Sequence, residues 1–483
     1  MSTIDYKEKY RPQFHFTPPA NWMNDPNGMV YFEGEYHLFY QYHPYGTIWG
    51  PMHWGHAVSK DLVYWEHRPI ALKPDENGAI FSGSAVIDWN NTAGFGEETM
   101  VAIFTHAGDN GQVQSIAYSQ DKGRNWIKYE GNPVLKEERF VDFRDPKVFW
   151  HQSTEQWVMI LASGQTVCIY LSPNLKDWTF ASEFGQGIGS HDGVWECPDL
   201  FPLLVDGDPS KTKWVMLVSI GNDPAFPEGS RTQYFTGEFN GHTFVNDEAS
   251  EAVRWLDYGR DNYAGVSWSD IPAEDGRRIY IGWMSNWKYA NVTPTEGWRS
   301  AMTIPRELAL ESRNGEIALI QRPVQELDKL RVPVLSLKDV SSEEVQNRLS
   351  ELQMDSFEMI ADFETGTKEA FGFKVRVSAN QETVIGYLPE SSELFVDRTQ
   401  SGEINFHEQF ACRHVVKLEA GNSRLRLHVF VDSSSLEVFA DNGRTVITDL
   451  IFPDPDANGL EIYVTDGSIN LHSFEIYTLR PNS

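Results

Sequence analysis

The chain has 483 residues, enough for two domains with their own cores, and 41% of them are hydrophobic. Aromatic residues make up 13%, with 16 Trp, and Gly and Pro recur throughout, the composition of an all-β protein rich in turns. A formal net charge of −29 disfavours nucleic acid and anionic membrane as partners. It suits a neutral ligand, and abundant Trp and Tyr suit flat apolar faces such as those of sugar rings.

Met1 to Arg11 is polar and charged and contains no apolar signal-peptide core, and no run of about 18 apolar residues follows anywhere. Cys168, Cys197 and Cys412 are far apart and odd in number, fitting neither a disulfide framework nor a metal spacing. The expectation is a cytoplasmic protein, with a secreted one lacking its leader as the alternative. Asn21 to Gly28 (NWMNDPNG) reads as a tight polar turn. Met29–Phe32 and Tyr36–Tyr40 read as strands joined at Glu33-Gly34-Glu35. Asp25 then sits at the lip of a strand. The arrangement recurs: Ser82-Gly83-Ser84, Asp145-Pro146, Glu196-Cys197-Pro198 and Asn262-Tyr263-Ala264 each open a similar strand pair.

These anchors, at 25, 82, 145, 196 and 262, are 57, 63, 51 and 66 residues apart. A second repeat runs offset from the first. Ser59-Lys60-Asp61 with Trp65, Ser119-Gln120-Asp121 with Trp126, and Ser172-Pro173-Asn174 with Trp178 mark turns between outer strands. Self-similar strand units of this length are the signature of a propeller, and five repeats imply five blades over residues 1–325. From there the texture changes, and residues 326–350, interrupted by Pro333, read as a linker. Residues 351–483 hold seven or more short alternating segments and the turn Asp441-Asn442-Gly443, which suggests a C-terminal β-sandwich.

In a propeller the innermost strands all start near one axis, so Asp25, Asp145 and Glu196 should face one another. Three converging carboxylates suit glycoside hydrolysis, where one acid protonates the leaving oxygen and another attacks the anomeric carbon or activates water. Two ionised Asp near a Glu would raise its pKa and keep it protonated, which makes Glu196 the general acid/base and one of the two Asp the nucleophile. Arg144 should hold the adjacent Asp145 ionised and bond the substrate. His53 and His56 alternate across a strand and make a poor metal pair. The glycine-rich segment Gly185–Gly189 lacks the context of a phosphate loop.

Trp22 to Gly28, Phe81 to Ser84, Phe143 to Phe149 (FRDPKVF) and Trp195 to Asp199 (WECPD) together resemble the motifs of glycoside hydrolase family 32. Gly282 to Trp287 and Pro305 to Leu308 match further segments, and the resemblance covers essentially the whole chain. It implies a five-bladed propeller followed by a β-sandwich, a retaining mechanism, and β-linked fructofuranosides such as sucrose, levan or inulin as substrates. It also casts Asp25 as nucleophile, Glu196 as acid/base and Asp145 as transition-state stabiliser. Asn24, Gln41, Trp49, Phe81, Ser82, Arg144 and Trp287 carry over as sugar contacts. No metal or organic cofactor is implied.

Overall fold

A computed structural model describes residues 4–480 apart from 222, 248, 250 and 419–423. Residues 21–323 form five sheets, each built on four antiparallel strands, and in the fifth the short strands Trp298–Arg299 and Ala301–Met302 intervene in the chain between its second and third. Their first strands are Asn21–Phe32, Ala79–Asp88, Phe143–His151, Trp195–Leu204 and Tyr263–Ser267. Each first strand packs against the next, and the fifth packs against the first, so the five strands line one axis. That ring is a five-bladed propeller. Trp298–Arg299 closes it by pairing in parallel with Asn21 and Trp22 at the start of the first blade.

The repeated turn chemistry is visible at every outer corner the sequence marked. Asp61, Asp121 and Asn174 each accept hydrogen bonds from backbone N–H groups just ahead in the chain, forming Asx turns. Trp65, Trp126 and Trp178 each donate their indole N–H to the carbonyl three residues back, at Leu62, Gly123 and Leu175. The hairpin at Glu33-Gly34 has both residues at positive φ, as a two-residue turn between twisted strands requires.

The second domain packs a six-stranded sheet on a five-stranded one. Alternate residues of Phe357–Glu364 (Phe357, Met359, Ala361, Phe363) face Phe371, Phe373 and Val375 across the core. The expected linker is largely part of this domain. Arg331–Ser341 is an edge strand paired with Asn470–Leu479, and Pro333 is tolerated there because an edge strand leaves one side unpaired. Ser341 then caps the helix Ser342–Leu349, which buries Val345 and Leu349 in the sandwich core. The charged surface of this segment hid a strand and a helix that each bury only one face.

Candidate active site

All five inner strands carry an irregularity at the same level. The register of each with its neighbour shifts around Asn24–Asp25, Phe81–Ser82, Asp145–Pro146, Cys197–Pro198 and Ala264–Gly265. Asp145, Cys197 and Ala264 have positive φ at these points. A bulge bends its strand and re-aims side chains, and five of them in register turn acids and amides toward the axis. The segment Asn21 to Gly28 is therefore a bulged strand rather than the expected turn.

Asp25 lies deep and is held on both oxygens. Asn24 Nδ2 donates to its Oδ1 at 3.0 Å and Ser82 Oγ to its Oδ2 at 2.7 Å. Asn24 is itself fixed by the indole N–H of Trp22 at 2.7 Å. Burial, with the charge of Glu196 second, pushes the Asp25 carboxyl above its ordinary value. Asp145 accepts the backbone N–H of Cys197 at 3.0 Å on its Oδ2, and the Cys197 thiol lies 3.4 Å from both this oxygen and Asp25 Oδ2. Burial again dominates in raising Asp145, opposed by Arg144 and reinforced by Glu196 and Asp25.

Glu196 sits nearer the opening. Its Oε1 accepts from Arg144 Nε at 3.2 Å and Nη2 at 2.9 Å, and its Oε2 accepts from the Tyr263 hydroxyl. The Arg144 guanidinium donates to Glu196, Gln112 and Asp142, because the bulge turns neighbouring side chains different ways, and it acts on Asp145 through its charge, which favours the ionised carboxylate as expected. Asp25 and Asp145 are cut off from water, at 9% and 6% exposure, which is why burial dominates in raising both carboxyls.

Every residue expected at the site lines one pocket of about 580 Å³: Asn24, Asp25, Gln41, Trp49, Phe81, Ser82, Arg144, Asp145, Glu196 and Trp287. Gln41 donates both N–H groups inward, to Asn27 Oδ1 at 2.8 Å and Ile80 O at 3.0 Å, which leaves its carbonyl oxygen for a ligand hydroxyl. Trp287 stacks on Trp22 with ring centroids 5.9 Å apart, and Trp49 meets Phe81 edge-on at 6.1 Å. Gln112, Asp142 and Asn291 also line the pocket and went unnoticed in the sequence. Asp142 stands two residues before Arg144, on the same side of the chain, which is a usable signal; nothing local marks Gln112 or Asn291. Tyr263 was within reach, since it belongs to the fifth anchor. Among the described residues, no group of three or more potential metal ligands comes together.

Comparison with known proteins agrees with this geometry. Residues 15–323 match the model of the glycosyl hydrolases family 32 N-terminal domain, and residues 326–478 match that of the family 32 C terminal. A levanase of Bacillus subtilis (strain 168) is 55% identical over 98% of this chain, which spans 71% of that protein. The crystal structure of exo-inulinase from Aspergillus awamori superposes with a TM-score of 0.91 at 36% identity, covering 99% of this chain and 100% of the other. A β-fructofuranosidase from Schwanniomyces occidentalis complexed with fructosyl-erythritol gives 0.87 at 30% identity, with 99% of each chain covered. The chain belongs to glycosyl hydrolases family 32.

Proposed function

We propose that this chain is an exo-acting, retaining β-fructofuranosidase that releases terminal fructose from fructans and sucrose. The observation that carries the reading is the convergence of Asp25, Asp145 and Glu196, from three blades, in one pocket with a closed floor. Below the carboxylates the axis narrows to a void of about 10 Å³. A chain can enter this pocket end-first but does not thread through it, which suits removal of one terminal sugar. The relatives named above, a levanase, an exo-inulinase and a fructofuranosidase, point to the same substrates.

In the proposed reaction Asp25 attacks the anomeric carbon of the terminal fructose while Glu196 gives its proton to the departing glycosidic oxygen. The C–O bond to the leaving sugar breaks as the bond to Asp25 forms. Water then attacks the fructosyl-enzyme, with Glu196 taking the proton back and Asp25 leaving. Asn24 and Ser82 fix the attacking carboxylate and spread its charge. Asp145, held by the Cys197 backbone N–H, is placed to bind substrate hydroxyls and to favour the positive charge at the anomeric centre. Arg144 and Tyr263 orient Glu196.

A product chromatogram after incubation with sucrose, levan and inulin tests this reading. Free fructose is expected as the only early product from both polymers. Short oligosaccharides would contradict the exo mode, and no fructose from any of the three would contradict the activity.

A further inference from the structure

The inner strands that begin at the carboxylates end at the opposite mouth of the propeller, and a second cavity, of about 640 Å³, opens there. It gathers the ends of Ala79–Asp88, Phe143–His151 and Trp195–Leu204, and Asp270 just beyond Tyr263–Ser267. At about 3.3 Å per residue, Asp145 and His151 on one strand lie roughly 20 Å apart. The two mouths are separate. Between them stands the narrow axial void, and the buried Lys147 crosses there to donate to Ser267 O at 2.5 Å.

Three successive blades each give this cavity a tryptophan: Trp89, Trp150 and Trp214. Trp89 is 50% exposed although its indole N–H is tied down to Asp270 Oδ1 at 2.8 Å. Its edge is fixed while its ring remains accessible. Trp150 is braced edge-on by Trp157 at 5.2 Å, and the Trp157 N–H is in turn held by Thr92 Oγ1 at 2.8 Å. Trp214 packs on Phe149 at 5.8 Å. Arg278 uses only Nη1, in long bonds to Ser267 Oγ at 3.5 Å and Trp268 O at 3.3 Å. Its Nε and Nη2 have no hydrogen-bond partner among the described residues, and its guanidinium lies over Phe201 at 4.9 Å.

Rigid aromatic rings beside a few unspent donors make a binding surface for a ligand with apolar faces and hydroxyl edges. An anion fits less well. Lys147 is already committed to Ser267 O and Asp199, the Asp270 carboxyl shares the cavity, and the whole chain carries −29. A neutral glycan matches both the rings and the donors.

We propose that the cavity formed by Trp89, Trp150, Trp214 and Arg278 is a second carbohydrate site, which holds an internal segment of the fructan chain. The identity of that glycan rests on the function proposed above. Holding the polymer at one mouth raises the local concentration of chain ends at the other.

Affinity electrophoresis of the Glu196→Gln variant through gels containing levan provides the test. The catalytic pocket takes only chain ends, which are scarce in a polymer, so retardation reports binding of internal segments. Glu196→Gln should be retarded, and adding Trp89→Ala with Trp214→Ala should remove at least half of the effect. In the active chain the same pair should raise KM for levan about threefold or more and leave kcat/KM for sucrose within about twofold. Unchanged sucrose turnover also shows that the fold is intact; Arg278→Gln, which removes no ring, serves if the double variant fails to fold. No retardation of Glu196→Gln, or equal retardation with and without these substitutions, overturns the second site. An unsubstituted chain that releases fructose from nothing would instead remove the fructan reading, and with it the glycan named here.

Discussion

Asp25 and Asp145 are carboxylates that the fold has placed where charge is costly. Both are raised above their ordinary values by burial first and by neighbouring acids after it. A group raised in the folded state contributes stability that is complete below its unfolded value, near pH 4, and is lost as pH rises through the folded value. Asp145→Asn should therefore raise Tm at pH 7 by about 2 °C or more while lowering kcat at least ~100-fold, measured by thermal unfolding and sucrose turnover. A variant that loses both would show that Asp145 holds the fold together instead. In the proposed mechanism Asp25 attacks in its ionised form, so the same burial should move the acid limb of the kcat/KM profile to higher pH than an ordinary aspartate would give. Glu196→Gln and Asp25→Asn should each cost about 10³-fold or more in kcat with circular dichroism unchanged. Near-normal turnover in either would break the mechanism.

At the scale of elements, the site is made by bulges. Gly28, at φ +57, follows the first of them, and a Cβ there would lie 2.5 Å from the Phe39 ring and 2.8 Å from that of Trp54. Gly28→Ala should cost about 1–3 kcal/mol in unfolding free energy and lower kcat as well, since the strand that carries Asp25 must shift. Loss of neither would mean that the strand is less constrained than its packing indicates. The repeat of anchors in the sequence located all five inner strands, because turn chemistry and strand starts are local properties. It read the acid-bearing segment as a turn because Asn, Asp, Pro and Gly mark turns and bulges alike. The destination of Arg144 was hidden for the same reason: a one-residue irregularity decides which way a side chain points. Gln112 and Asn291 come to the pocket from the third strand of the second blade and from a connecting segment, and such positions are settled only by blade packing. The strand Arg331–Ser341 was missed because an edge strand needs apolar residues on one face alone.

Across the whole molecule, propeller and sandwich are joined by buried charge. His15 sits between Asp432 and Glu437 of the sandwich, with both contacts at 2.7 Å, and Arg306 donates to Glu437 at 2.5 Å. Arg398 of the sandwich reaches back to Asp261 at 2.7 Å, and His414 pairs with Asp449 beside it at 2.9 Å. Burial opposes the charge on His15 and His414, but the carboxylates around them win and push both up to about 9. Their contribution is complete below the unfolded histidine value near pH 6.5 and is lost as pH climbs toward about 9. Asp432 and Glu437 are depressed despite their burial, so their share is present above about pH 4 and is lost in stronger acid. Thermal stability should therefore peak at mildly acidic pH. His15→Gln should lower Tm there and flatten the decline between about pH 6.5 and 9, which unfolding scans across that range would show. An unchanged slope would place the pH dependence elsewhere.

The claim on which the rest depends is that Asp25 forms a covalent bond to fructose and that Glu196 is needed to release it. Fructosyl fluoride carries a leaving group that needs no acid, so a Glu196→Gln variant should still accept the sugar but hold it. Intact-mass analysis after mixing should show one added fructosyl unit, and peptide mapping should place it on Asp25. Steady turnover of the fluoride with no adduct, or an adduct on another residue, would contradict the mechanism.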